Sequence, residues 1–200
     1  MGFNIMKRQV LDGHQLDVPE RMPMDGKDVG GEASCFARYT FAAQYTEGMD
    51  VVDAACGDGY GSKYLKNAKS YLGVDYSDVA LKLCKKQYGN TFKKLNLDTE
   101  ELPECDVLIS FETIEHLEDP IAYFEKVKRS TKKWFIFSVP NNENLGANPH
   151  HKWVFNENDL KDLVNKHFEC EFFHQEVNEN GSIIDKHCYP LFMVGVCRLS

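Results

Sequence analysis

Two hundred residues, 42% of them apolar and 12% aromatic, suit one folded domain of ordinary size and exclude a disordered chain. The formal charge of −8 argues against a protein that grips nucleic acid by bulk charge, although the pairs Lys85-Lys86, Lys93-Lys94 and Lys132-Lys133 leave room for a local basic groove. No apolar run approaches the ~18 residues of a membrane span, the N-terminus lacks a hydrophobic signal core, and seven cysteines without a C-x-x-C pair suit free thiols in a reducing cytoplasm.

Residues 1–31 are polar, rich in Gly, Asp and Met, and carry Pro19 and Pro23, so an irregular N-terminal arm is expected, followed by a single domain over 32–200. "EASCFARYTFAAQY" has helical spacing, with Phe36, Tyr39 and Ala43 on one face. Strands and helices then alternate. "DVVDAAC" is a strand, followed by glycines and a helix running through Leu65. "SYLGVD" is a strand, and "DVALKLCKKQY" a helix with Ser77 or Asp78 as its cap. "TFKKLNL" and "DVLISF" are strands, "DPIAYFEKVKRS" a helix with Pro120 in its first turn, and "KWFIFSVP" a strand. "ENDLKDLVNKH" is a helix, "FECEFFHQ" and "FMVGVCRL" are the last two strands, and "EVNENGSIIDKHCYP" between them is a hairpin turning at Asn180-Gly181. Repeated β-α-β units imply a mainly parallel sheet with helices on both faces.

The strongest local signal is "VVDAACGDGYGS", where a strand containing Asp53 runs into Gly57, Gly59 and Gly61. Glycines at such a turn let the backbone approach a ligand. The spacing is G-x-G-x-G, not the G-x-G-x-x-G of a dinucleotide site, and Asp53 beside the loop is a poor neighbour for a diphosphate but suits an ammonium group. Asp75 ends the next strand and is placed for ribose hydroxyls. Asp98, beside Asn96 and Leu97, is placed for an exocyclic adenine amine. Ammonium, ribose and adenine without phosphate describe S-adenosylmethionine better than NAD.

The series "VVDAACGDGYGS", "YLGVDYS", "LNLDTEELP" and "DVLISFETIEHLEDP" resembles the class I S-adenosylmethionine-dependent methyltransferases, over roughly residues 32–165. The resemblance implies a Rossmann-like, seven-stranded sheet with one antiparallel strand. It assigns Asp53 and the Gly57/Gly59 loop to the methionine part of the cofactor, Asp75 to the ribose, and Leu97 and Asp98 to the adenine, with Ala55, Tyr76 and Phe111 also counted as cofactor-binding. Ala55 departs from the glycine more usual in the family. "FARYTFAAQY" is similar to the first helix of bacterial members, and Arg38 on it suits the cofactor carboxylate.

"FETIEH" closes the apolar run "CDVLIS" with Glu112, Glu115 and His116. Ligands in open α/β sheets lie at the carboxyl ends of the strands, which puts this segment beside the methyl group. As one helical turn, i, i+3 and i+4 would share a face, and two crowded carboxylates raise each other's pKa unless a cation sits between them. Oxygen ligands and imidazole suit Mg2+ or Mn2+, less well iron. "NPHHKWVF" adds His150 and His151. Two subgroups are similar here: the ubiquinone-pathway O-methyltransferases, with a magnesium-binding E-x-x-E-H, and the small-RNA 3′-terminal 2′-O-methyltransferases, which add a later histidine segment. By that resemblance the metal ligands are Glu112, Glu115, His116 and His151, with His116 and Glu112 the catalytic pair. A metal-free His116 base and a purely structural turn stay open beside it.

The expected reaction is methyl transfer to a hydroxyl of a small molecule, a sugar or a phenol, since a hydroxyl needs more activation than an amine. RNA 3′-terminal 2′-O-methylation is the alternative. A non-catalytic cofactor-binding partner or sensor is the third reading. The expected state is a cytoplasmic monomer or homodimer without membrane contact.

Overall fold

The computed structural model describes residues 6–7, 29–89, 91–141, 148–178, 181–187 and 191–199. The strands are β1 (Met6–Lys7), β2 (Asp50–Ala54), β3 (Ser70–Asp75), β4 (Phe92–Lys94), β5 (Cys105–Phe111), β6 (Thr131–Pro140), β7 (Trp153–Val154), β8 (Glu169–Asn178), β9 (Gly181–Asp185) and β10 (Phe192–Arg198). The α-helices are α1 (Val29–Ala42), α2 (Asp78–Tyr88), α3 (Pro120–Ser130) and α4 (Glu157–Val164).

The main sheet runs β4-β3-β2-β5-β6-β10-β8-β9. The pairs from β4 to β6 are parallel, while β10 runs antiparallel to β6 and to β8, and β9 runs antiparallel to β8. The fold is the expected Rossmann-like one, with eight strands instead of seven. The extra strand is β9, the second arm of the expected hairpin. Its ladder to β8 continues to Asn178 opposite Gly181, so Gly181 is a strand residue, while Asn180 lies outside the described residues. Most of the expected arm also lies outside them, but Met6–Lys7 pairs with β7, and α1 begins at Val29, inside the stretch read as irregular.

Alternation along the strands sorts the core into two faces. Val52, Leu108, Phe135 and Phe137 pack with Phe124 of α3 and Leu160 of α4, while Val51, Val107, Ile109 and Ile136 pack with Tyr39 and Ala42 of α1. Helices therefore cover both faces. Each fully buried ring such as Phe124 or Phe135 contributes roughly 2–3 kcal/mol of apolar burial. Helix starts are capped as their sequences suggest: Ser77 Oγ accepts from Ala80 N, and Asp119 Oδ1 accepts from Ile121 N and Ala122 N with Pro120 in the first turn.

The segment after the glycine loop corrects the sequence reading. A helix through Leu65 was expected, but only one 3-10 turn, Tyr60–Lys63, forms. Gly61 packs against the Tyr39 ring, where a Cβ would stand 2.3 Å from a ring carbon, and Gly59 is left-handed at φ 75°. Close packing replaces helical continuation here. On the antiparallel side, Cys197 and Cys170 stand opposite each other with their sulfurs 2.7 Å apart.

Candidate active site at the carboxyl ends of the parallel strands

Strands β2, β3, β4 and β5 all end on one side of the sheet, and the residues singled out from the sequence follow those ends. After β2 the chain makes left-handed turns at Ala55 (φ 60°), Gly57 (φ 54°) and Gly59. Alanine at such a φ costs about 1–2 kcal/mol relative to glycine. Gly57 is held on both sides: its N–H donates to Asp75 Oδ2 at 3.0 Å, and its carbonyl accepts from Cys84 Sγ at 3.1 Å. Asp75 also accepts from Ser77 N at 2.8 Å, so it fixes the turn between β3 and α2. A Cβ placed on Gly57 meets no described atom within 4 Å. Among the described residues, the side of the loop to which that Cβ would point is open.

Asp53 lies deeper than its sequence reading suggested. Its carboxylate accepts from Tyr39 OH at 2.9 and 3.1 Å and from Tyr71 OH at 2.7 Å. Burial pushes its pKa up to about 7, the Tyr71 and Tyr39 bonds hold it back, and Asp75 adds to the rise. Both tyrosines are raised well above the ordinary phenol value, first by burial and next by Asp53, so they stay protonated donors. Asp53 anchors α1 and β3 to the loop from beneath.

Past β4, Leu97 is buried and Asp98 exposed. Asp98 Oδ1 accepts from Glu118 N at 2.9 Å, and Lys126 of α3 donates to the carbonyls of Leu97 and Asp98. Tyr76 is 62% exposed beside Asp75, and Phe111 packs edge-on against Tyr39 with centroids 5.1 Å apart.

The end of β5 differs from the expected helical turn. Glu112 has φ 50°, Thr113 has φ −132°, and only Ile114–His116 form a 3-10 turn. Glu112 therefore does not share a helical face with Glu115 and His116. It turns toward β6 and α1: Ser138 Oγ donates to Glu112 Oε1 at 2.7 Å, and Arg38 Nη1 lies 3.8 Å from the same oxygen. Arg38 is buried, donates to Gln175 Oε1 at 2.8 Å and lies 5.0 Å from the Phe192 ring centroid. Burial opposes its charge, but Glu112, with Cys35 and Tyr60, raises its pKa. Its Nε has no hydrogen-bond partner among the described residues.

Glu115, His116 and His151 do come together. Each offers one ligand atom, and the three atoms lie within 4.8 Å of one another. Glu115 and His151 are buried, and the two imidazoles meet edge-on at 4.6 Å. His116 Nδ1 lies 3.2 Å from the His150 carbonyl, which only accepts, so Nδ1 carries the proton and Nε2 the lone pair. That nitrogen is 3.9 Å from Glu115 Oε1. Lys152 N donates to the Glu115 carbonyl at 2.8 Å, tying the histidine segment to the turn. Among the described residues, three of the four expected ligands cluster, and Glu112 stands apart. His187 is exposed, and Tyr189 lies outside the described residues.

Ser138, Gln175, Tyr71 and Lys126 support these residues and were not singled out from the sequence, and Tyr39 was read there only as a helix-face residue. Ser138 had a signal, as the one hydroxyl inside the apolar run "WFIFSVP". Gln175, fully buried on β8, had none.

Residues 52–137 match the family model described as a methyltransferase domain. A protein of Mycolicibacterium smegmatis named "Probable S-adenosylmethionine-dependent methyltransferase" is 27% identical over 167 residues, 74% of this chain and 65% of its own length. The phthiotriol/phenolphthiotriol dimycocerosates methyltransferase of Mycobacterium tuberculosis is 30% identical over 117 residues, 55% of this chain and 42% of its own length. The chain thus spans less than two thirds of either relative. Among solved structures, magnesium protoporphyrin IX methyltransferase of Synechocystis with bound SAH superposes with a TM-score of 0.63 at 16% identity, covering 92% of this chain and 90% of that one. The chain has the Rossmann-like fold of that structure, and its residues 52–137 are similar to a methyltransferase domain.

Proposed function

We propose that this protein transfers the methyl group of S-adenosylmethionine to a hydroxyl oxygen of a small molecule, with a divalent cation held by Glu115, His116 and His151. The observation that carries the reading is the placement of two built features on neighbouring strand ends. One is the open face of Gly57 with Asp75 fixed behind it. The other is the buried cluster of one carboxylate and two imidazoles.

Asp75, Tyr76, Leu97 and Asp98 would hold the nucleoside, and Arg38 the cofactor carboxylate, its buried Nε supporting an anionic partner. The donor set of two nitrogens and one oxygen suits Mn2+ better than Mg2+, which prefers oxygen. A cation there, when bound, supplies Lewis-acid charge that makes an acceptor hydroxyl more acidic. The sulfonium methyl needs little activation, so the rest of the work is alignment of acceptor oxygen, methyl carbon and sulfur. The oxygen–carbon bond forms as the carbon–sulfur bond breaks, the acceptor proton leaves, and S-adenosylhomocysteine remains. With Nδ1 as donor in the neutral ring, His116 Nε2 would take that proton when no cation is bound. The triol and phenol in the name of the mycobacterial relative support a hydroxyl acceptor.

The test is methyl transfer from labelled cofactor to a panel of sugars and phenols, with and without chelator. Activity lost on chelation and restored by Mn2+ supports the reading. Full activity after complete metal removal sinks the metal role and leaves the His116 base. Short RNAs with free 3′ ends belong in the same panel, because the segment holding His150 and His151 does bring an imidazole against His116.

A further inference from the structure

Lys126 is an unusual lysine. It projects from α3, is only 8% exposed, and its ammonium points at backbone: Leu97 O at 2.7 Å and Asp98 O at 2.9 Å. A buried ammonium needs its donors satisfied, and two of its three are spent on consecutive carbonyls of one loop. That loop receives further ties. Glu118 N donates to Asp98 Oδ1 at 2.9 Å, Asp98 N donates to Asn96 Oδ1 at 2.9 Å, and Asn96 N donates to Glu100 Oε2 at 2.7 Å. These ties come from the loop itself and the neighbouring turn, while Lys126 is the strut from the helical layer behind. Its bonds draw both carbonyls toward α3.

We infer that Lys126 is a positioning residue for base recognition: by holding the Leu97 and Asp98 carbonyls it sets Asp98 against the exocyclic amine of adenine. The inference rests on the cofactor reading above. Lys126 touches neither cofactor nor acceptor and acts through the loop. A charge is used because hydrogen bonds from an ionised donor are about twice as strong as neutral ones. An apolar residue there would leave two carbonyls without their donor and free the loop to turn.

The experiment measures Kd for S-adenosylhomocysteine and for S-inosylhomocysteine, in which a carbonyl replaces the amine, by calorimetry on the full chain. Wild type is expected to prefer the adenine compound. In Lys126→Met, affinity for S-adenosylhomocysteine falls about tenfold or more, and the ratio of the two Kd values falls toward one. In Lys126→Arg, which keeps a charged donor, most of the ratio returns. An unchanged ratio in a folded Lys126→Met overturns the inference. Should that variant not fold, the ratio is read on Lys126→Gln, a neutral donor expected to give an intermediate value, and wild-type discrimination there overturns it equally. Wild type that binds neither compound defeats the cofactor reading itself, an outcome distinct from an unchanged ratio.

Discussion

The ends of β2 and β3 and the end of β5 lie in one sheet and are built on different plans. At β2 and β3 the loop itself is held through backbone, with Gly57 clamped through its N–H and its carbonyl and Asp75 spanning two amides, while two tyrosine hydroxyls hold Asp53 beneath it. Left-handed residues there are glycines and one alanine. At β5 the left-handed residue is Glu112, and the contacts run between side chains from distant segments, Arg38, Ser138, His116 and His151. The first plan gives a fixed shape to which a ligand is added. The second gives a set of charged and polar side chains gathered from separate segments of the chain.

Four measurements press on that contrast. The largest effect belongs to Asp53, beneath the rigid end. Its folded pKa of about 7 lies above the ordinary 3.8, so the folded state holds the proton more tightly. The stability this contributes is complete below the unfolded pKa and is lost as pH rises through about 7. Raising pH from 5 to 8 is expected to cost about 3 kcal/mol through this group, measured by denaturant unfolding. Asp53→Asn flattens that dependence; an equally steep curve in the variant would mean that this end is wetter than described. Next is Glu115→Gln, expected to weaken Mn2+ binding at least about 100-fold, or about 2.7 kcal/mol, by calorimetry. Unaltered metal affinity would make the β5 end a structural turn.

The two loop glycines separate shape from openness. Gly59→Ala puts a Cβ 2.7 Å from the Phe92 ring and 2.9 Å from Cys84 Sγ. With its positive φ, the expected loss is about 2–3 kcal/mol of stability, read as a lowered Tm. Gly57→Ala meets no described atom, so backbone strain of about 1–2 kcal/mol is the stability cost expected from the described residues, while cofactor affinity falls further than in Gly59→Ala for the same loss of stability. Equal behaviour of the two would erase the distinction. Ser138→Ala is smallest, about 1 kcal/mol, because it removes the hydroxyl that serves Glu112 at both its N–H and its carboxylate.

The difference between the plans also explains what the sequence made legible. Strand and helix alternation, the cap at Ser77, Pro120 in the first turn of its helix, and the acids Asp53 and Asp75 near the ends of β2 and β3 follow from local pattern, and the rigid end is made of local pattern. The β5 end is not. Helical spacing grouped Glu112 with Glu115 and His116, but the φ of 50° at Glu112 breaks that register, and a serine 26 positions later receives it. Gln175 reaches Arg38 across 137 positions, a pairing no spacing rule reports. The helix expected after the glycines failed for a packing reason, since Gly61 is small to admit Tyr39. The eighth strand was visible as half a hairpin, though not as a sheet edge.

The order of strands in the antiparallel half has a consequence for synthesis. The last strand made, β10, lies between β6 and β8, so the β8–β9 hairpin leaves the ribosome with no place in the sheet until β10 arrives. Gln175, on that hairpin, holds Arg38, and Arg38 stands against Glu112. The parallel half can assemble once β6 is out, and the glycine loop with it. The wall around Glu112 closes only after β10 threads into its gap, so the glycine loop can form well before the surroundings of Glu112.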